Sequence, residues 1–300
     1  MNRRQFLTGT GAFVGIGASS IEASRARAQQ ATSANRAGGS NGWTPLFNGV
    51  NLDGWYTFLN RSGKNSDPGG FVRVDNGMLH ILGNAVPEGN IEAGYLATNT
   101  EYSNYCLRLE YKWGSTRFAP RLNFKRDNGL LLHLVGPDRV WPTCMEFQIQ
   151  ETDVGDAIPL SGVRYVTADV VNGLSPWPNA PIANPTGPGQ AAAVPMGGPG
   201  QRRVTPKRGD FEDRIGWNSI EIIVRGANAA FLVNGRIVNS VFAMQRPDPP
   251  MQAPQGATPA PPIPENTKLV PLDRGKIALE IEYAETWFRN IEIRPLQDKD

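Results

Sequence analysis

From Trp43 onward, apolar and polar residues alternate in short runs separated by turn residues. A two-residue period belongs to strands with one buried face. Residues 105–113 show it most clearly. Leu107, Leu109, Tyr111 and Trp113 fall on one face, and Arg108, Glu110 and Lys112 on the other. Residues 71–82 read as a hairpin in which Val72, Val74, Met78, Leu79 and Ile81 surround Asp75-Asn76-Gly77. Its Asn-Gly pair suits a two-residue turn, because both residues tolerate positive φ. Similar runs predict strands over 130–135, 145–151, 217–224, 230–233, 276–283 and 286–294, with Asn234-Gly235 closing another hairpin. No helical period competes with them. The pattern predicts an all-β domain of two packed antiparallel sheets over residues 43–297.

Composition supports that reading and punctuates it. The 300 residues include 33 Gly and 25 Pro, many of the latter in two segments, 174–210 and 246–266. Neither segment can be a central strand, since proline offers no N–H to a ladder. Each is either a loop with a function, such as a lid, or a disordered insertion. Residues 29–42 are mostly Ala, Ser, Gly and Asn and read as a flexible linker. Before them, Asn2-Arg3-Arg4-Gln5-Phe6-Leu7-Thr8 resembles a twin-arginine export signal, followed by an apolar stretch from Gly9 to Ile21 and a small-residue cleavage site at Ala26-Arg27-Ala28. The stretch is shorter than the roughly 20 residues that span a bilayer. Residues 1–28 are therefore expected to be removed, leaving a periplasmic or secreted protein with no membrane span.

Removal takes four of the 30 basic residues and one of the 28 acidic ones, leaving 26 and 27. With no basic block and a charge near zero, nucleic acid is not an expected partner. Cys106 and Cys144 fall in predicted strands, and an oxidising compartment would permit a disulfide. The sequence leaves their pairing open.

An ordered series of motifs runs through nearly the whole of residues 43–297. It comprises Leu46-Phe47-Asn48-Gly49, Leu52-Asp53-Gly54-Trp55, the stretch from Glu110 to Asp156, Gly216-Trp217-Asn218, Asn234-Gly235, Gly275-Lys276-Ile277 and Phe288-Arg289-Asn290-Ile291-Glu292-Ile293. The series resembles the 3-keto-disaccharide hydrolase family, long known only as a domain of unknown function. The resemblance implies a concanavalin A-like jelly-roll sandwich. It also implies cleavage of 3-keto-glycosides, by net hydrolysis or by elimination across C1–C2 followed by hydration. A ketone at C3 acidifies the C2 proton, so one base can expel the C1 substituent without the oxocarbenium chemistry of ordinary glycosidases. Asn128 and Leu132 depart from the family pattern, which often has Ser and Tyr there.

The resemblance is densest from Phe118 to Asp156, and it directs attention to residues whose chemistry fits a sugar site. Glu146, Gln148 and Gln150 share one face of their predicted strand, opposite Met145, Phe147 and Ile149. Such a row either binds hydroxyls or simply faces solvent. His133 is expected opposite Leu132 and Leu134, and its ring suits a general acid or base. With Glu151, these give His133, Glu146 and Glu151 as candidate catalytic residues. Arg121, Asn123 and Lys125 share one alternation class, so a cation there could stabilise an enolate oxygen. Arg121, Lys125, Trp141, Gln148 and Asp153 are the candidate substrate-binding residues. Glu280 and Glu282 also share a face, which fits metal binding, acid–base work or, more commonly, an exposed outer surface. Asp153-Val154-Gly155-Asp156 could lend oxygens to a divalent cation, but no motif demands a metal or any other cofactor.

The expected function is an exported enzyme acting on 3-keto-glycosides, with carbohydrate as its partner. The alternative is a non-catalytic, lectin-like carbohydrate-binding module, since such sandwiches serve both ends. A structural or adhesive surface protein is a third class. Export should depend on the arginine pair. Changing Arg3→Lys together with Arg4→Lys should hold the precursor in the cytoplasm, because the pathway reads the guanidinium groups and not charge alone. Cell fractionation checks this, and undiminished periplasmic protein from the double variant would point to another route.

Overall fold

The alternating run that begins at Tyr105 becomes the longest strand among the described residues and organises the first of two sheets. The structure is a computed structural model that describes residues 42–83, 90–167, 204–251, 264 and 266–297. Its strands are β1 (Thr44–Pro45), β2 (Trp55–Leu59), β3 (Gly63–Lys64), β4 (Val72–Asp75), β5 (Met78–Ile81), β6 (Gly94–Thr98), β7 (Tyr105–Arg117), β8 (Asp127–Val135) and β9 (Thr143–Gln150). They continue with β10 (Ala157–Leu160), β11 (Arg164–Val166), β12 (Asn218–Arg225), β13 (Asn228–Val233), β14 (Arg236–Pro247), β15 (Leu269–Pro271), β16 (Lys276–Ile281) and β17 (Ala284–Pro295).

The first sheet has the order β11-β14-β13-β12-β7-β17-β5-β4, with β1 added to β17 and β15 to β14. The second has the order β10-β9-β8-β16-β6-β2-β3. Paired strands are antiparallel throughout, and neighbours far apart in sequence, such as β7 with β17 and β8 with β16, come from crossovers between the sheets. The fold is an all-β, concanavalin A-like jelly-roll sandwich.

Both expected hairpins are present. Asn76-Gly77 and Asn234-Gly235 all have positive φ, the requirement of the tight turn that matches strand twist. Alternation in β7 holds as well: Leu107, Leu109, Tyr111 and Trp113 are buried while Arg108 is exposed. These residues meet Leu130, Leu132, Met145, Phe147, Ile149 and Leu279 of the other sheet in one inter-sheet core. Phe147 and Phe231 bridge the sheets with ring centroids 4.9 Å apart. Burying side chains of this size stabilises the fold by about 1.5–3 kcal/mol each.

Several strands escape the alternation argument, and the reason is physical. In β2 and β6 every residue is buried. Trp55 and Leu59 face the inter-sheet core, while Tyr56 and Phe58 belong to a second apolar cluster with Tyr95, Ala97, Leu131, Cys144 and Ala278. The second sheet is thus covered on both faces, and a strand covered on both faces has no polar side to reveal its period.

The proline-rich segments need correction at their ends. Arg246 and Pro247, expected outside any strand, finish β14 and pair with Val270 and Leu269 of β15. Thr205 makes a bridge with Ala157 and accepts a bond from Asn239. Most of both segments, together with the expected signal peptide and all of the linker but Gly42, lies outside the described residues. Cys106 sits in the first sheet and Cys144 in the second, and they form no disulfide. Phe231→Ala should destabilise the domain by about 3–5 kcal/mol, because it opens a cavity against Phe147 at the centre of the sandwich. Denaturant unfolding measures it, and a loss below about 1 kcal/mol would mean that the two sheets close over the gap.

Candidate functional site

In β9, Met145, Phe147 and Ile149 fill the inter-sheet core, so period 2 sends Glu146 and Gln148 to the outer face of the second sheet. That face is not open to solvent: Glu146 is 2% exposed and Gln148 8%. Antiparallel register extends the face sideways. Glu146 lies opposite Leu131, then come Ala278, Ala97 and Tyr56. One row along, Gln148 lies opposite Gly129, and Glu280 lies opposite Tyr95, which in turn faces Phe58. Gln150 and Asp127 make the next row.

Gly129 is the notch in this surface. A Cβ built there would strike the Glu280 carboxylate, 2.7 Å from its Cδ, and would lie 3.0 Å from Glu146 Oε1. Glu280 Cδ is therefore no more than 5.7 Å from Glu146 Oε1. Glu280, read from sequence as either functional or exposed, is 1% exposed and belongs to the same site as Glu146. Two more buried polar side chains, Asp127 and Gln148, lie on the same face. Asp127 Oδ2 pairs with Arg121 Nη2 at 2.6 Å and accepts from Gln150 Nε2 at 2.7 Å. Its Oδ1, like Gln148 Oε1, is buried without a hydrogen-bond partner among the described residues. Burial pushes the Asp127 carboxyl up, with Arg121 and Gln150 opposing it.

The far side of the face carries a second cluster. Asp138 Oδ1 accepts from Tyr56 Oη at 2.6 Å and Tyr95 Oη at 2.8 Å, and its Oδ2 from Lys64 at 3.2 Å. Lys276 donates to Tyr56 Oη at 3.2 Å, and the two ammonium groups lie 3.8 Å (Lys64) and 4.6 Å (Lys276) from the centre of the Tyr56 ring. Burial pushes both phenols well up, and Asp138 adds to the effect. Burial would also raise Asp138, but the bonds from Tyr56, Tyr95 and Lys64 outweigh it and hold the carboxyl below its usual range. Asp138 in this way ties the loop after β8 to the sheet, while Val140 and Trp141 of that loop pack on the outer apolar cluster.

The other expected residues are placed differently. His133 has φ 53°, and the irregular register there puts Leu132 in the inner core and Leu134 on the outer face. The expected strict alternation fails at this point. The imidazole turns away from Glu146 instead, donating from Nε2 to Gly226 O at 3.0 Å and lying edge-on to Tyr105. Burial pushes its pKa down to about 4. Glu151 is held by Arg126 Nη2 at 2.9 Å and Arg117 Nη2 at 3.0 Å, and those bonds, Arg126 first, depress it to about 2. Residues 121–125 form turns and no strand, so their alternation does not apply. Arg121 is bound to Asp127 and Glu282, and Lys125 to Asp153 at 2.6 Å. Asp156 accepts from Lys207 N at 2.8 Å. Among the described residues no three His, Cys, Asp or Glu side chains gather as a metal-binding group.

Residues 42–294 match the family model of the 3-keto-alpha-glucoside-1,2-lyase-like domain. The chain belongs to this family. Membership places it among carbohydrate-active proteins, and the match covers every group on the buried outer face. No curated protein matches the chain. Two candidate glycosyl hydrolases from Parabacteroides distasonis are similar in structure. One has 18% identity and a TM-score of 0.43 over 89% of this chain and 97% of its own, and the other 19% and 0.46 over 85% and 100%. A carbohydrate-binding module from Bacillus subtilis has 10% identity and a TM-score of 0.36 over 84% of this chain and 96% of its own.

The depressed Glu151 predicts a pH effect separate from catalysis. Its folded pKa of about 2 lies below the ordinary carboxyl value of 4.5, so the stabilisation is present in full above pH 4.5 and is lost as pH falls toward 2. Glu151→Gln should lower the melting temperature at pH 7 and flatten the acid limb between those values. Equal acid limbs for the two proteins would show that Arg126 and Arg117 contribute nothing through Glu151.

Proposed function

We propose that this family member is an exported enzyme that cleaves 3-keto-glycosides on the outer face of its second sheet. The observation that carries the reading is the pair of buried carboxylates, Glu146 and Glu280, on either side of Gly129. Glu146 takes the proton from C2. The released pair forms the C2=C3 enolate, and when the C3 carbonyl re-forms, C1=C2 is made and the C1–O bond breaks. Glu280 returns a proton to the departing oxygen, and water then adds across C1=C2. Positioned acid–base groups of this kind typically contribute about 10²–10⁴-fold each. The Lys276–Tyr56 end of the face, which carries ammonium donors, suits the oxygen that becomes negative.

Export rests on the twin-arginine-like start, and no helix among the described residues is long and apolar enough to cross a membrane. A lectin-like module remains the second reading, because Gln148 offers a buried amide oxygen that a bound hydroxyl would satisfy without any turnover.

Glu146→Gln should keep sugar binding and lose about 10²–10⁴-fold in kcat on a 3-keto-glycoside, together with hydrogen–deuterium exchange at C2. Glu280→Gln should keep the exchange and slow substrates with poor leaving groups more than those with good ones. Released aglycone and exchange, followed with and without a chelator, check both. Wild-type protein that binds but neither cleaves nor exchanges would establish the binding module instead.

A further inference from the structure

The oxygens on this face are not equivalent. Asp127 is 3% exposed, its Oδ2 is engaged by Arg121 and Gln150, and its Oδ1 has no partner among the described residues. Gln148 is 8% exposed, with Oε1 in the same condition. Asp127 pairs with Gln150 and Gln148 with Gly129, so the two are diagonal neighbours on one face of an antiparallel ladder. Such neighbours stand roughly 7–8 Å apart at Cα and somewhat less at Cβ. Between them is the one position in the row with no side chain, Gly129. A buried acceptor without a donor is unfavourable, so two of them at neighbouring positions of one face call for a ligand that brings hydrogens.

We infer that Asp127 Oδ1 and Gln148 Oε1 form a subsite that reads two hydroxyl groups of the sugar and excludes its ketone. The inference rests on the proposed action on 3-keto-glycosides and gives the substrate a direction. A hydroxyl donates and accepts, whereas a ketone only accepts. An acceptor pair therefore admits unoxidised positions and repels the C3 oxygen by lone-pair contact. The ammonium group of Lys276 lies elsewhere on the face, against the Tyr56 hydroxyl, where an oxygen bearing negative charge is welcome. The ring is thus held with its hydroxyl edge toward Asp127 and Gln148 and its carbonyl edge toward Lys276, whose strand β16 neighbours β8. Gly129 makes the approach possible, because any side chain there would fill the notch between the carboxylates.

Binding of methyl 3-keto-glucoside and of its 4-deoxy and 6-deoxy analogues tests this by calorimetry, in parallel with cleavage of the matching aryl glycosides. Wild-type protein should bind at least one deoxy analogue about ten- to a hundredfold more weakly than the parent, the size expected when a buried acceptor loses its donor. Gln148→Met should weaken the parent to a similar degree and bind parent and that analogue alike. Gln148→Glu, which keeps an acceptor oxygen, should retain the discrimination and guards against a Met variant that does not fold. Wild-type protein indifferent to both deletions, or a Met variant that still discriminates as wild type does, would overturn the subsite. Discrimination in binding without any cleavage by wild-type protein would sink the enzymatic reading and leave the subsite standing.

Discussion

The second sheet is buried on both faces, and the rest of the site follows from that constraint. A strand such as β9 must send its odd residues into the inter-sheet core and its even residues somewhere equally shielded. Apolar neighbours such as Leu131, Cys144 and Ala278 satisfy the shielding without further conditions. Glu146, Glu280 and Gln148 do not, since removing a carboxylate or amide from water costs several kcal/mol unless it is compensated. Polar groups kept there at such a cost are best understood as a site for something polar.

Charge is sorted along the same face. Arg121 spends its guanidinium on Asp127 and Glu282, which fixes Asp127 beside the notch while leaving one of its oxygens available. Lys64 is spent on Asp138. Lys276 is held differently, by a phenol oxygen and a ring face, so its position is set by groups that are neutral while Tyr56 keeps its proton. Burial and Asp138 both oppose loss of that proton. The ammonium therefore keeps donors for a ligand, because three N–H bonds exceed what one phenol oxygen can accept.

The sequence revealed the fold where a strand has one wet face and hid it where both faces are dry. Tyr105–Arg117 and the two Asn-Gly hairpins could be read directly, whereas Trp55–Leu59 and Gly94–Thr98 carry no polar alternation to read. The site divides along the same line. The even-numbered face of β9 follows from period 2 alone, but His133 was misplaced because a left-handed backbone residue breaks that period between Leu132 and Leu134. Glu151 and Lys125 have the right chemistry for a site, yet Arg126 and Asp153 hold them from turns whose course no periodicity describes, and Arg117 reaches Glu151 from the far end of β7. Tyr56 and Tyr95 were missed for the opposite reason. Among apolar neighbours they read as core, and only register places their hydroxyls beside Asp138.

Gly129 shows how sheet geometry and chemistry meet in one position. Gln148 faces it across the ladder, and the long side chains of Glu280 and Glu146 lean over the gap. Were Gly129 an alanine, the Glu280 carboxylate would have to move, and with it the spacing to Glu146. Glycine in a strand interior costs roughly 0.5–1 kcal/mol relative to alanine, since it loses more chain entropy on folding and packs nothing. Here the missing Cβ is what lets two carboxylates approach within a sugar ring's width inside a sheet that is otherwise closely packed. The local weakness of the strand and the reach of the site are therefore one feature, and the small loss of stability is a direct consequence of where the acids stand.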